Sequence, residues 1–214
     1  MQFKQTNKLF YGTYQYKIVL VCAGAAWFRS KNWDDTLAHL KKVDLKKIAS
    51  TAPSYSRYTG THIKTQEDLD YAFKLQKLLS KLSDIDLRVE SPWISLYTNT
   101  ESNMDKLVKL DKSRIKYVSV PPANSNLTEN SVILPKIDFD YRITIGKTTQ
   151  NYSAFIDWAD ANSKIKLTKG CRKQLLNDYS WGGSYFYVKG EKNLLLSKMH
   201  LGGCISKVES ILKA

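Results

Sequence analysis

Cysteine and histidine are scarce in this 214-residue chain, at three each. Cys22, Cys171 and Cys204 stand too far apart for paired zinc spacing, and an odd number cannot all close disulfides within one chain. His39, His62 and His200 complete no zinc template, so no metal or other cofactor is expected and a reducing compartment fits. Arginine is sparse too, at positions 29, 57, 88, 114, 142 and 172. Long apolar runs are missing. Ile18 to Ala26 comes closest, but it follows a polar, tyrosine-rich stretch and reads as a core strand rather than a signal segment. The expectation is a cytoplasmic protein, or a virion component if the chain is viral, with no membrane partner. Catalytic signatures are also wanting. Ile145-Gly146-Lys147-Thr148 has the end of a phosphate-binding loop, but Tyr141 stands where its first glycine is required. Asp138 and Asp140 lack a third carboxylate for metal-dependent chemistry, and no nucleophilic triad is visible.

What the chain does have is positive charge: 33 Lys and Arg against 20 Asp and Glu, for a net charge of +13. Such a field gathers polyanions. Because most carriers are lysines, it favours backbone phosphate over the forked reading of base edges by arginine. The alternative is a Lys/Asn-rich coding bias that only keeps the protein in solution.

The second positive feature is an internal repeat. Tyr97, Glu101 and Asn103 recur as Tyr187, Glu191 and Asn193, and the same offset carries Ile115 to Ile205 and Val118 to Val208. Upstream, Tyr16-Lys-Ile18 matches Tyr141-Arg-Ile143, Ala72-Phe73 matches Ala154-Phe155, and Ile85-Asp-Leu87 matches Ile165-Lys-Leu167. The matches keep their order. Alternating β-branched runs predict strands at 16–21, 86–90, 93–97 and 115–120 in the first half. Apolar periodicity predicts helices at 66–83 and 102–110, the first capped by Thr65. The second half repeats this order with strands at 141–145, 165–168, 185–188 and 205–211, helices at 152–161 and 192–200, and an extra helical turn at 172–177. The reading is α+β: tandem ferredoxin-like (βαββαβ) units of the kind seen in RNA-recognition motifs. The first unit spans 1–122 with an insertion at about 23–64, including a helical piece near 37–48. A linker covers 123–131 and the second unit spans 132–214.

Gly182-Gly183-Ser184-Tyr185-Phe186-Tyr187-Val188 resembles the third strand of an RNA-recognition motif, where alternate aromatics stack bases on an open sheet face. The resemblance implies that Tyr185 and Tyr187 face outward beside Arg142 and Thr144, with Phe186 and Val188 turned to the helices. In the first copy Val19 and Val21 share the outer face with Ser95 and Tyr97, which argues for a covered face. Lys74, Lys77 and Lys81 form a basic stripe along the long helix, and Arg57 and Tyr58 lie in a loop of the insertion where binding residues tend to sit.

Tandem ferredoxin-like units in a basic protein are similar in outline to the CRISPR RNA-processing endonucleases of the RAMP superfamily. That similarity is architectural: it implies a glycine-rich loop near the end of the chain, of which only Gly202-Gly203 before the last strand is present, and a general acid or base drawn from His39, His62 or His200, none of which has a visible partner. The expected function is non-enzymatic binding of RNA or single-stranded DNA through a basic surface and strand tyrosines. The alternatives are a structural or assembly protein, such as a viral component self-associating through its sheet faces, and an RNA-processing endonuclease.

Overall fold

The computed structural model describes residues 2–45, 63–123 and 125–213. The chain is α+β and separates into two compact units, 1–123 and 124–214. Each holds one five-stranded mixed sheet with helices between its strands.

In the first unit β1 (Gln2–Gln5) precedes β2 (Tyr16–Val21), a 3-10 turn (Ala25–Ser30), α1 (Trp33–Lys41) and α2 (Gln66–Leu79). Then come β3 (Asp86–Glu90), β4 (Trp93–Thr98), α3 (Glu101–Leu110) and β5 (Ile115–Val120). The sheet runs β1-β5-β2-β4-β3, antiparallel except for the parallel β1–β5 edge. Alternation along β2 and β4 sends Ile18, Leu20, Ile94 and Leu96 into a core completed by Phe28, Leu75, Leu79 and Leu107. α2 begins where Thr65 Oγ1 accepts the Asp68 amide at 3.1 Å, an N-cap backed by Glu67 and Asp68 in the first turn. Arg114 ties that helix start to β5, donating to Asp68 at 2.8 Å and Glu67 at 3.2 Å while lying 4.8 Å from the Tyr71 ring. Burial alone raises the Asp68 carboxyl, but the bonds from Arg114 and Thr65 more than offset it and hold the group below the ordinary aspartate value.

The second unit is shorter. β6 (Ser131–Ile133) leads to β7 (Tyr141–Ile145), α4 (Ser153–Asp160), β8 (Ile165–Leu167) and α5 (Lys169–Leu176). β9 (Tyr185–Val188), α6 (Glu191–Leu201) and β10 (Ile205–Leu212) complete it. Its sheet runs β6-β10-β7-β9-β8, again with one parallel pair at the edge. Ile143, Ile145, Phe155, Ile156, Leu175, Phe186 and Val188 form the core.

The two sheets therefore share one strand order, compatible with a duplicated α/β unit. Their registers agree as well. Lys17 faces Tyr97 as Arg142 faces Tyr187, and Ile18 faces Val118 as Ile143 faces Val208. Each last strand carries a register shift against the first, which skips Lys116 in one unit and Ser206 in the other. The paired asparagines do equivalent work: Asn103 Nδ2 donates to Ser83 O at 2.7 Å, and Asn193 Oδ1 accepts from Asn162 at 2.9 Å. Each ties the start of a helix to the loop before the second core strand. One element of the repeat does not hold. Ala72 is buried and Phe73 half-exposed, whereas Ala154 is exposed and Phe155 buried, so those two helices present the matched residues with opposite facing.

Two strands escape the pattern of alternation, β1 and β6, and the latter begins inside the stretch expected to be a linker. The extra turn at 172–177 is a full helix from Lys169; of the helical piece expected near 37–48, residues 37–41 belong to the helix Trp33–Lys41, and residues 46–48 lie outside the described residues. All three cysteines are free. Burial pushes the Cys22 thiol up to about 12 and Cys171 to about 11, while Cys204 is only half-buried, 2.6 Å from the Tyr152 hydroxyl. A thiolate-specific reagent at mildly alkaline pH is therefore expected to label Cys204 well ahead of the other two, with all three reacting together only in denaturant. Peptide mapping of the label checks this; fast labelling of Cys22 would contradict its place in the core.

Candidate nucleic-acid interface

The alternation expected along β9 holds. Phe186 and Val188 are fully buried in the second core, and Tyr185 and Tyr187 lie on the opposite face. That face is not an open two-ring platform. Tyr187 is only 9% exposed, because the crossover from β6 to β7 folds back over the sheet and stacks Phe139 on its ring at 5.9 Å. Tyr185 remains 38% exposed, packed edge-on against Tyr187 at 5.6 Å. Arg142 lies beside them, 5.6 Å from the Tyr185 ring, but its guanidinium is engaged. It donates to Glu209 on β10 through Nε at 2.8 Å and Nη2 at 2.6 Å. Glu209 is 2% exposed, and Lys207 approaches it at 3.2 Å. Burial raises the Glu209 carboxyl, but the two cations outweigh it and leave the group below the ordinary glutamate value. Arg142 thus neutralises a buried carboxylate first and offers only its remaining surface to Tyr185.

The first sheet repeats the device and adds charge. Tyr97, the counterpart of Tyr187, is buried beneath Phe10, Tyr11 and Tyr14, which come from the crossover between β1 and β2. The Tyr11 and Tyr97 hydroxyls lie 3.4 Å apart. This bond, joined by one from Arg88, lowers the exposed Tyr11 phenol, whereas burial raises Tyr97. Beside that lid lies a group of cations on rings. Lys4 sits 4.3 Å from the Tyr117 ring, and Lys17 lies among Tyr97, Tyr117 and Phe10 at 5.6, 5.7 and 5.9 Å. The bulge in β5 places Lys116 4.1 Å over Trp93. The acids of the neighbouring β3 are already taken, Asp86 by Lys31 and Glu90 by Arg88. Lys4, Lys17 and Lys116 have no carboxylate partner among the described residues. The expected covering of this face is met in part, since Val19 is buried while Lys4 and Lys116 are exposed.

Lys74, Lys77 and Lys81 are all exposed, without an ion pair among the described residues. They share a unit with the cations of the first sheet, whereas Tyr185, Tyr187 and Arg142 belong to the other unit. Arg57, Tyr58 and His62 lie outside the described residues. His39 stacks on Trp27 at 5.9 Å and His200 packs on Trp158 at 4.6 Å, so each ring is held against an indole. Asp138 is bound by Lys189 and Lys213, which pull its carboxyl down to about 2, and Asp140 accepts the Gly190 amide. Both aspartates anchor loops. Among the described residues no group of His, Cys, Asp or Glu could hold a metal ion, and no helix is long and apolar enough to cross a membrane.

The cation-and-ring face of the first sheet was not singled out from sequence, although parity along β2 already puts Lys17 on the face opposite Ile18 and Leu20. Lys4 and Lys116 had no such signal. One sits on an edge strand without alternation, the other at a bulge that breaks it. No protein-family model matches the sequence, and no curated protein or solved structure matches it either.

Proposed function

We propose that this protein binds single-stranded nucleic acid, RNA or DNA, through the cation-bearing faces of duplicated ferredoxin-like units, without acting on it chemically. The ferredoxin-like reading rests on the strand order: leaving out the edge strands, both sheets run fourth, first, third, second. The observation that carries the functional reading is the trio Lys4, Lys17 and Lys116, lysines without carboxylate partners that lie over Tyr117 and Trp93 on one sheet face. Unpaired ammonium groups recruit phosphate, and adjoining rings offer surface to bases. Tyr185 with Arg142 is the smaller counterpart in the second unit, and the Lys74, Lys77 and Lys81 stripe adds to the field.

The test is binding of a fluorescent oligo(dT) or oligo(U) over a range of salt concentrations. Changing Lys4, Lys17 and Lys116 together to glutamine is expected to flatten the plot of log affinity against log salt by up to about 2, at about 0.7 per lost phosphate contact on a single strand. The same change at Lys74, Lys77 and Lys81 measures the helix stripe separately. A wild-type chain that fails to bind either oligonucleotide at low salt would sink the reading. A second reading, an assembly protein, is favoured by Leu195 and Met199, exposed one turn apart on the outer side of α6.

A further inference from the structure

The largest exposed ring in the second unit lies off its sheet. Trp181 is 80% exposed, in the loop between α5 and β9, with Tyr179 50% exposed beside it. The two rings meet edge to face at 5.5 Å and 85°. Lys147 stands against both, its Nζ 5.2 Å from the tyrosine centroid and 5.5 Å from the indole. Lys147 has no carboxylate partner among the described residues.

This loop is held firmly. Thr148 and Ser180 exchange backbone hydrogen bonds at 2.9 and 3.1 Å, and Ile145 O accepts the Gly183 amide at 2.8 Å. The buried Gln174 donates to Gly146 O at 2.8 Å and accepts the Ser184 amide at 3.2 Å. Gly182 has φ +94° and lies so close to Gly146 that a Cβ would come within 2.5 Å of backbone. Only glycine permits that approach. The loop therefore displays an indole and a phenol to solvent from a firmly bonded base, with a cation standing beside both rings. Packing does not account for this, since Trp181 contributes little to the core.

We infer that Trp181, Tyr179 and Lys147 form a one-nucleotide stacking clamp, in which a base of a single strand lies on the indole and its phosphate meets the Lys147 ammonium. The inference rests on the nucleic-acid reading above and adds a second contact site on the other unit. An aromatic pair with a cation also suits a lipid headgroup layer. Here, however, the rings are flanked by Asn177, Asp178 and Ser180, all polar and hard to bury among acyl chains, whereas a stacked base covers only the ring faces.

The full chain is titrated with fluorescein-labelled oligo(dT) and oligo(U) of about 15 nucleotides, a span within the usual site sizes of such surfaces. Unlabelled oligonucleotide is expected to quench tryptophan emission, and Trp181→Phe should remove the share owed to the exposed indole, leaving only what Trp93 on the first sheet face contributes. Trp181→Ala should weaken binding about 5- to 150-fold with the salt slope unchanged, and Trp181→Phe should restore most of the affinity. Lys147→Gln should lower the salt slope by about 0.7. Normal binding by folded Trp181→Ala, with the glutamine trio still defective, overturns the clamp and leaves the sheet-face reading standing. No binding by the wild type overturns both. A blue shift of Trp181 emission with vesicles containing phosphatidylserine, and no response to oligonucleotide, overturns the clamp in favour of a lipid interface.

Discussion

Phe186→Ala is expected to destabilise the protein by about 3–5 kcal/mol, while Tyr185→Ala next to it costs less than about 1 kcal/mol. The contrast follows from which side of β9 each ring occupies. Phe186 is fully buried and meets Phe155 edge-on at 5.4 Å, so truncation removes apolar burial and leaves a void among residues fixed by the sheet. Tyr185 loses one edge-to-face contact, with Tyr187, and the cation contact with Arg142. Urea denaturation followed by circular dichroism gives the two values, and amide exchange in β7, β9 and β10 locates the loss. Equal costs would mean that the two faces of the strand are packed alike, contrary to the burial pattern.

Arg142→Ala is expected to cost about 3 kcal/mol near neutral pH, at the lower end for breaking a buried pair because Lys207 still faces Glu209. The larger part of that cost is the carboxylate left in place, almost fully buried and deprived of its better partner. The pH dependence carries the diagnosis. In the wild type the folded Glu209 carboxyl lies below its unfolded value. Its stabilisation is therefore complete above the unfolded value and disappears as pH falls through the folded one. In the variant, burial without Arg142 raises the folded carboxyl, so the penalty is complete at neutral pH and shrinks as Glu209 takes up a proton. The difference between the two proteins should therefore begin to narrow above about pH 4.5, as the raised carboxyl of the variant takes up a proton, and go on narrowing below it as the wild type loses its stabilisation. Arg142→Ala combined with Glu209→Gln should recover much of the loss at neutral pH. A difference that stays constant with pH would place the role of Arg142 in packing or at the surface.

Much of the fold was legible because alternation and repetition are local properties. Tyr16–Val21, Ile115–Val120, Tyr141–Ile145 and Tyr185–Val188 all appear in the structure with the ends that their β-branched and aromatic runs indicate. The asparagines Asn103 and Asn193 betrayed the repeat because a buried amide tying a helix to a loop has few substitutes. β1 and β6 were not legible. One has four exposed residues with no inward partner, the other only three residues, and each exists through its pairing with a last strand. The candidate site was less readable still. That Tyr187 has a lid depends on where the chain around Phe139 returns, which no periodicity reports. The engagement of Arg142 needed the register that puts it opposite Glu209, and the first copy gives no hint, since Ser119 stands at the matching place opposite Lys17. Trp181 does carry a signal in the sequence. A tryptophan before two glycines, outside any apolar period, has no core to enter.

The parallel edge strands have a bearing on how this chain can be cut. A sheet edge with free amides and carbonyls is a template for pairing with other chains. β1 covers β5 and β6 covers β10, so each unit seals one flank with its own leading segment and needs no strand from a neighbour. A fragment starting at residue 124 keeps that seal, because Ser210 bonds to Asn130 and Leu134 to Leu212. A fragment starting at Tyr141, which looks like the natural beginning of the second copy, strips β10 bare along Ser210, Ile211 and Leu212 and removes Phe139 from Tyr187. The longer piece is the one suited to crystallisation or spectroscopy. The shorter would join edge to edge into aggregates, and its failure would say nothing about whether the unit folds alone.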